Sequence, residues 1–377
     1  MDFSQSEQER LMTEVAGKIL KTECPTRIVR DLIEKDGAGF DMDLWRRIAS
    51  LGWLSITVPE QYGGQGSDLS TVFAICEEMG REGLVSPFLS TGIIAPQLLL
   101  AGGTEAQRKK YISRIASGSI FSWAMQEADV ENAIGLVKTR ARITASGEYE
   151  LNGTKTLVPY ANAANYLLVL ARIAGTTGEN GLTVFIVSTD AKGLSISLEP
   201  TIGVERLCKV TFKKVKLGSE AVLGAPGEAA GMVKRALQVA TVAKMFEMLG
   251  GMDRVLQMTL EYTKERTTWK EPVANRQVIQ HQLADIALNL DLSRVLIHNA
   301  AWVLRSRLTA DLEISMAKSF ITEKYAMATK QGLQFHGAIA YCIDHDLQVF
   351  IKQSNAAKAS LGSTDYHLMK VAEGIGL

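Results

Sequence analysis

The sequence of 377 residues carries no net charge, because 41 Lys and Arg residues balance 41 Asp and Glu residues. Without a net charge there is no overall field to attract nucleic acid or an anionic membrane, so we expect neither as a partner. Cysteine is also scarce, and its four positions are too scattered for a zinc site or a disulfide framework. These are Cys24, Cys76, Cys208 and Cys342. We therefore expect no metal site and four buried thiols in a reducing compartment.

Long apolar runs are missing as well. No uninterrupted apolar stretch is long enough to span a bilayer, and the acidic and polar residues 1–10 precede no apolar segment typical of a signal peptide. We therefore expect a cytoplasmic protein with no membrane span. No repeat, low-complexity segment or long Pro- or Ser-rich linker divides the chain, so its parts should pack as one body.

Residue patterning divides the chain into three regions. From about residue 4 to residue 117, apolar residues recur at helical spacing. Between about 121 and 227, short β-branched runs such as 166–171 and 182–188 are separated by turn residues, which predicts a compact β domain. Beyond Gly231, helical spacing returns in stretches too long and apolar for isolated surface helices. These stretches, 232–267, 277–307 and 312–331, predict a bundle with an oligomer interface.

Short motifs along nearly the whole chain together resemble the acyl-CoA dehydrogenase family. They are LGWL (51–54), VPEQYGGQG (58–66), EEMGR (77–81), LNGTK (151–155), TVFIV (183–187), YTKER (262–266), HQLAD (281–285) and LQFHG (333–337). The resemblance implies an α+β fold in three parts. These are an N-terminal α-helical domain (1–120), a middle antiparallel β domain (121–229) and a C-terminal four-helix bundle with the oligomer interface (230–377).

The family uses FAD to oxidise acyl-CoA thioesters to their α,β-unsaturated forms, as in the β-oxidation of fatty acids or steroid side chains. The resemblance therefore implies an oxidoreductase with FAD as cofactor, an acyl-CoA substrate, an electron-transfer flavoprotein as partner and a tetrameric assembly. The reaction needs a carboxylate to remove the α-proton and hydrogen bonds to stabilise the enolate. It also needs flavin N5 to face the β-carbon.

The residues expected to contact the ADP part of FAD match the family. In this family that part lies across a subunit interface, where the neighbouring chain supplies an Arg and a Gln. Arg266 and Gln334 match these positions, and Gln277, Gly337 and the aromatic Trp269 also fit. The planar guanidinium of an Arg suits a pyrophosphate. Two alternatives remain open: Arg266 caps a helix C-terminus, or Trp269 is an ordinary interface anchor.

The residues expected around the flavin ring differ from the family. Where the family has a hydroxyl residue, a Trp and a second hydroxyl residue, this chain has Gln126, Leu157 and Pro159. The resemblance assigns Gln126 and Pro159 to the cofactor site. However, Leu cannot stack on a flavin as an indole can, and Pro offers neither a hydroxyl nor an N–H group. We therefore expect a damaged flavin pocket.

The substrate positions are also altered. The resemblance places the pantetheine of CoA along the turn 128–133, where Asn132 is assigned to substrate binding and Glu131 adds a negative charge. The CoA-binding arginine of the family falls at Thr241. Lys244, about one turn further along the same helix, is assigned to substrate binding as a partial replacement.

The catalytic base is assigned to Asp344, where the resemblance places the usual glutamate of the family. Some relatives take the base from the long helix instead, but that position is Ala240 in this chain. Glu247 is either a base with a raised pKa or a residue paired within the bundle.

Three functions are consistent with these residues. In the first, the chain is a degenerate subunit of a hetero-oligomer and supplies ADP-side contacts to FAD in a sister chain. In the second, it is a self-sufficient homotetrameric enzyme with Asp344 as base. In the third, it is a non-enzymatic binding or scaffold protein. The contrast between matching interface residues and altered pocket residues favours the first.

Overall fold

The computed structural model describes residues 7–34, 37–128, 133–306 and 309–377. Glu131 and Asn132 lie outside these residues, so their assigned substrate contacts stay predictions. The first region is helical, as the apolar spacing predicts. Its elements are α1 (Glu7–Glu23), α2 (Thr26–Glu34), α3 (Met42–Ser50), α4 (Leu69–Arg81), a π-helical turn (Leu89–Ile94), α5 (Ala95–Gly102) and α6 (Glu105–Ala116).

Side-chain caps determine where several of these helices begin. The Asp41 carboxylate accepts hydrogen bonds from the backbone N–H groups of Asp43 and Leu44, at 2.8 and 2.9 Å. Thr104 and Gln107 form a reciprocal capping box at the start of α6. Such caps satisfy backbone donors that have no partner within the helix.

The second region forms a mixed sheet. Its strands are β1 (Phe121–Ala124), β2 (Arg140–Ile143), β3 (Tyr149–Pro159), β4 (Tyr166–Ile173), β5 (Leu182–Ser188), β6 (Leu194–Glu199), β7 (Leu207–Leu217) and β8 (Val222–Leu223). The strand order is β6-β7-β3-β2-β4-β5-β8, and β1 lies beside β4. Most neighbours are antiparallel, as expected, but β1 and β2 both pair with β4 in parallel. Apolar patterning does not encode strand direction, so the sequence did not indicate these two pairings.

The third region contains three long helices and two short ones among the described residues. They are α7 (Ala230–Glu265), α8 (Gln277–Ser306), α9 (Asp311–His336), α10 (Leu347–Ala357) and α11 (Thr364–Gly374). A hairpin of β9 (Thr267–Thr268) and β10 (Glu271–Pro272) joins α7 to α8. The three long helices pack on one another, and α10 and α11 pack against α9 in place of a fourth long helix.

Two glycines allow α4 and α7 to cross in backbone contact. A Cβ atom at Gly80 would overlap the carbonyl group of Glu247, and one at Gly250 would overlap the carbonyl group of Glu77. Only a residue without a Cβ atom permits so close an approach. The crossing therefore fixes the middle of α7 against the first region, next to the candidate site.

Within the described ranges, no helix is long and apolar enough to cross a membrane, and no group of His, Cys, Asp and Glu could hold a metal ion. Cys24, Cys76 and Cys208 are buried, but Cys342 is exposed in the loop between α9 and α10. The expectation of four buried thiols is therefore wrong at Cys342.

Candidate active site

A cavity of about 310 Å³ lies where the sheet, the π-helical turn and α7 meet, and we name it the Lys244 cavity. Its wall includes Gln126, Leu157 and Pro159 from the β region and Lys244 from α7. The structure thus brings together three residues assigned to cofactor or substrate: Gln126, Pro159 and Lys244. A volume in this range is typical of pockets for small molecules.

The β3 wall of this cavity is largely apolar. The pairing of β3 with β7 is irregular between Lys155 and Val158, and Leu157 has a left-handed backbone with φ of 51°. Its side chain remains 41% exposed. Pro159 follows at the end of the strand and presents a ring without a donor. A flavin ring at this wall would meet aliphatic groups where the family offers an indole and a hydroxyl.

The charged groups of the cavity are already paired with one another. The ammonium of Lys244 lies 2.6 Å from a carboxylate oxygen of Glu247 and 3.1 Å from one of Glu205. Burial alone would lower the pKa of Lys244, but Glu205 and Glu247 outweigh burial and raise it above its usual value. Burial also raises the pKa of Glu247, against the opposing effect of Lys244. Glu247 is thus a paired residue, and Lys244 is not a free cation.

A second buried ion pair fixes the segment beside Gln126. The Lys155 ammonium donates to Glu127 at 2.7 Å and to the carbonyl of Met125 at 2.9 Å. Glu127 also accepts from the backbone N–H groups of Lys138 and Thr139, at 2.7 and 2.9 Å. Burial lowers the pKa of Lys155 to about 8. Residue patterning missed this pair because its members lie on different strands and loops.

A second cavity, of about 380 Å³, lies on the other side of Leu361, and we name it the Thr241 cavity. Its wall includes Thr241, Ala133 and Lys234, and the Lys234 ammonium pairs with Glu179 at 2.7 Å. Leu361 belongs to the walls of both cavities and has a left-handed backbone with φ of 55°. Its side chain therefore stands between them.

The residues assigned to the ADP part of FAD lie elsewhere, at one end of the helical bundle. Arg266 follows the last residue of α7, Gln277 begins α8, and Gln334 and Gly337 lie at the end of α9. The rings of Tyr262 and His336 stack at 4.3 Å, and the Tyr262 hydroxyl donates to the His336 carbonyl at 3.1 Å. These contacts hold the ends of α7 and α9 together.

This end of the bundle is open to solvent. Trp269, in the turn between β9 and β10, has a φ of 56° and is 93% exposed. The side chains of Arg266, Gln277 and Gln334 are exposed as well. Among the described residues, the guanidinium of Arg266 has no ion-pair partner. The donors are therefore available to a molecule that approaches from outside the chain.

The Lys244 cavity and the residues assigned to the ADP part of FAD are far apart. Lys244 and Arg266 are separated by 22 positions along α7 and its C-terminal cap. At about 1.5 Å per residue, this places their backbones roughly 33 Å apart along the helix axis. The residues assigned to the flavin ring and those assigned to the ADP part of FAD therefore lie in two separate regions of the chain.

Asp344 is not brought to the Lys244 cavity. It is exposed in the loop between α9 and α10 and does not belong to the cavity wall. The Arg30 guanidinium donates to the backbone carbonyl of Asp344 and to the carboxylate of Asp346, the latter at 2.8 Å. These contacts tie the loop to α2. The role of Asp344 as a base stays a prediction.

Three models of the acyl-CoA dehydrogenase family match consecutive parts of the chain. The N-terminal domain matches residues 6–119, the middle domain 122–215 and the C-terminal domain 230–376. Among similar sequences, the acryloyl-CoA reductase (NADH) of Anaerotignum propionicum is 26% identical over 100% of this chain and 96% of its own. The caffeyl-CoA reductase-Etf complex subunit CarC of Acetobacterium woodii is 27% identical over 91% of each chain.

Solved structures show the same fold. The butyryl-CoA dehydrogenase of Megasphaera elsdenii superposes with a TM-score of 0.92 at 22% identity, over 100% of both chains. A chain of the ChsE4-ChsE5 complex of Mycobacterium tuberculosis gives 0.90 at 22% identity, over 100% of this chain and 99% of that one. Sequence motifs, domain order and fold agree. The chain belongs to the acyl-CoA dehydrogenase family, FAD-dependent flavoproteins that act on the CH–CH bond of acyl-CoA substrates.

Proposed function

We propose that this chain is the partner subunit of a hetero-oligomeric acyl-CoA dehydrogenase. In this role it contributes the ADP-side contacts to FAD, and a sister chain carries out the dehydrogenation. The observation that carries the proposal is the roughly 33 Å separation along α7 between the open Arg266 end and the Lys244 cavity. The Arg266 end has exposed donors that bond to nothing in the described ranges, whereas the Lys244 cavity has an apolar wall and paired charges.

The exposed end fits the ADP half of FAD. Arg266 would donate its two-pronged guanidinium to the pyrophosphate and would stay charged at any working pH. Trp269 would cover the cofactor with an aromatic face, and the amides of Gln277 and Gln334 would donate to its oxygens. When bound, FAD supplies a hydride acceptor at N5. The residues of this chain hold and orient the cofactor from the outside.

The Lys244 cavity fits the flavin ring and the proton transfer poorly. Leu157 and Pro159 replace groups that would stack on the ring or donate to it. Glu205, the carboxylate in the cavity wall, is bonded to Lys244, and Asp344 lies outside the wall. A general base must lie within hydrogen-bond reach of the proton that it removes. We therefore place the base, and the acyl group, in the sister chain.

Oligomer formation is supported by a second exposed surface. Leu288, Leu292 and Val295 lie three or four residues apart on α8 and are all exposed, which is the spacing of one helix face. A contiguous apolar stripe on a helix favours packing against another chain. We propose a cytoplasmic tetramer with the sister subunit. The electron acceptor would be an electron-transfer flavoprotein, in line with the CarC complex, and the pathway fatty-acid or steroid side-chain β-oxidation.

The test is to purify the chain alone and after co-expression with candidate sister dehydrogenases, and to record visible absorption of each sample. We expect a flavin spectrum, bleached by acyl-CoA, only in a co-purified complex. A yellow chain that is purified alone and reduced by an acyl-CoA would support the homotetrameric alternative and contradict the proposal. Colourless protein in every combination would support the scaffold alternative.

A further inference from the structure

Arg266 and Gln334, which the proposed function places on the ADP part of FAD, lie on different helices. Arg266 is the C-cap of α7, and Gln334 lies in the last turn of α9. Both side chains are exposed. The geometry of a site that is made from both residues therefore depends on the contacts that join the two helix ends.

Tyr262 joins these helix ends through two hydrogen bonds. Its backbone carbonyl accepts from the Arg266 N–H at 2.8 Å, so Tyr262 lies one helical turn before Arg266. Its side-chain hydroxyl donates to the His336 carbonyl at 3.1 Å. His336 is the last residue of α9, and the last carbonyl groups of a helix have no partner within that helix. Tyr262 therefore supplies the missing donor beside Gln334 and Gly337.

Ring packing holds Tyr262 and His336 in this orientation. The two rings stack at 4.3 Å with an interplanar angle of 24°. The Nδ1 atom of His336 lies 2.8 Å from the Gly332 carbonyl, which fixes the imidazole against its own helix. A Cβ atom at Gly332 would come within 3.1 Å of the Thr259 hydroxyl oxygen. The absence of a side chain at Gly332 therefore lets α9 lie close to α7, one turn before the stacked rings.

The end of α9 has further contacts that do not involve α7. The rings of His336 and His345 pack edge to face at 5.0 Å, and His345 Nδ1 accepts from the Leu347 N–H at 3.2 Å. Arg30 ties the same loop to α2. Loss of the Tyr262 hydroxyl would therefore loosen the end of α9 from α7 without unfolding it.

We propose that Tyr262 is a positioning residue for FAD binding at the Arg266 end. It holds the end of α9 against the end of α7, so that Arg266 and Gln334 reach the ADP part of the cofactor together. Tyr262 acts through these two residues and not by a contact of its own with FAD. The inference rests on the proposed function, because it concerns the same exposed end of the bundle.

The test compares Tyr262→Phe, Arg266→Ala and the double variant, each in the complex with the sister subunit. Tyr262→Phe keeps the ring that stacks on His336 and removes only the hydroxyl, so the fold should survive. We expect this variant to weaken FAD binding roughly three- to tenfold. If Tyr262 positions Arg266, the double variant should bind FAD within about twofold of Arg266→Ala alone, because the two losses are coupled. Fluorescence titration of the flavin-free complex with FAD measures each dissociation constant.

Tyr62→Phe is the matched control, because the Tyr62 hydroxyl also donates one hydrogen bond, to Glu105 at 2.8 Å, in the N-terminal helical region. It should leave the FAD dissociation constant unchanged. Unchanged FAD binding in Tyr262→Phe, together with a loss in Arg266→Ala, overturns this inference and leaves the proposed function standing. Unchanged binding in both variants overturns both. Losses that multiply in the double variant would give Tyr262 an independent structural role and contradict positioning.

Discussion

Charged side chains have different surroundings in two regions of the chain. These regions are the interior around the Lys244 cavity and the open end of the bundle at Arg266. In the interior, Lys244 and Lys155 each bond to carboxylates of the same chain. At the open end, the side chains of Arg266, Gln334 and Trp269 are all exposed to solvent. Groups that are paired within a chain stabilise that chain, whereas exposed unpaired groups can bind something outside it. Substitutions in the two regions should therefore affect different measurements.

The largest effect is expected from Glu127→Gln, in the interior. The substitution leaves the Lys155 ammonium buried beside a neutral amide, and breaking a buried ion pair typically costs about 3–5 kcal/mol. Urea unfolding should show this loss in the free energy of unfolding. Glu228→Gln, at an exposed position, is the control and should change it by less than about 0.5 kcal/mol. Equal stability of the two variants would contradict a structural role for the pair.

Arg266→Ala, at the open end, should weaken FAD binding and leave the stability of the chain nearly unchanged. Removing charge-assisted hydrogen bonds to a pyrophosphate costs about 1.5–3 kcal/mol, or roughly 10- to 100-fold in FAD affinity of the complex. Stability of the isolated chain should hardly change, since Arg266 is exposed and has no ion-pair partner among the described residues. Flavin content per complex is the measurement, and Lys264→Ala, also exposed near the end of α7, is the control. Full flavin content in Arg266→Ala would remove the main support for the partner role.

Lys318→Met should remove an interior cation that, among the residues that the structure describes, bonds to Thr322 and the Ala357 carbonyl but to no carboxylate. Burial lowers the pKa of Lys318 from 10.5 to about 7. Between these two pH values the unfolded chain binds more protons than the folded chain. The free energy of unfolding of the unsubstituted protein therefore rises with pH through this window. The free energy of unfolding of the variant should exceed that of the unsubstituted protein by about 1–3 kcal/mol at pH 7, and this difference should disappear near pH 10.

Urea unfolding at pH 7, 8.5 and 10 measures this dependence on pH. Lys330→Met, at an exposed position on the same helix, should show no such trend. A Lys318→Met variant whose advantage does not change with pH would mean that the ammonium is not forced to deprotonate on folding.

The smallest effect is expected from Asp344→Asn. If the chemistry belongs to the sister chain, turnover of the complex should stay within about twofold, because Asp344 is exposed and outside the cavity wall. A catalytic base in this chain would instead bring a loss of at least about 100-fold. Steady-state turnover with an acyl-CoA separates these outcomes, provided that both complexes carry equal flavin.

The sequence predicted the order of helices, sheet and helices because long amphipathic stretches and short β-branched runs have distinct periods. The family resemblance assigned Gln126 and Pro159 to the cofactor and Lys244 to the substrate, and the structure brings the three to one cavity. Their roles stay predictions. It could not reveal that Glu205 pairs with Lys244, since the two lie 39 positions apart and spacing carries no information at that range. The pair of Glu127 and Lys155 was hidden for the same reason. The signal that could have indicated it is that Lys155 stands on the same alternating face of β3 as the apolar Tyr149 and Leu151.

Because Trp269 is exposed, its fluorescence should report when another molecule covers this end of the chain. The indoles of Trp45, Trp53 and Trp123 are buried and that of Trp302 is half-buried, so the solvent-facing part of the tryptophan emission should come mainly from Trp269 in the turn between β9 and β10. A cofactor or subunit that covers this turn would shift that emission to shorter wavelength. Titration of a candidate partner into the chain could then be followed in real time, without a label, at the surface where assembly is expected to occur.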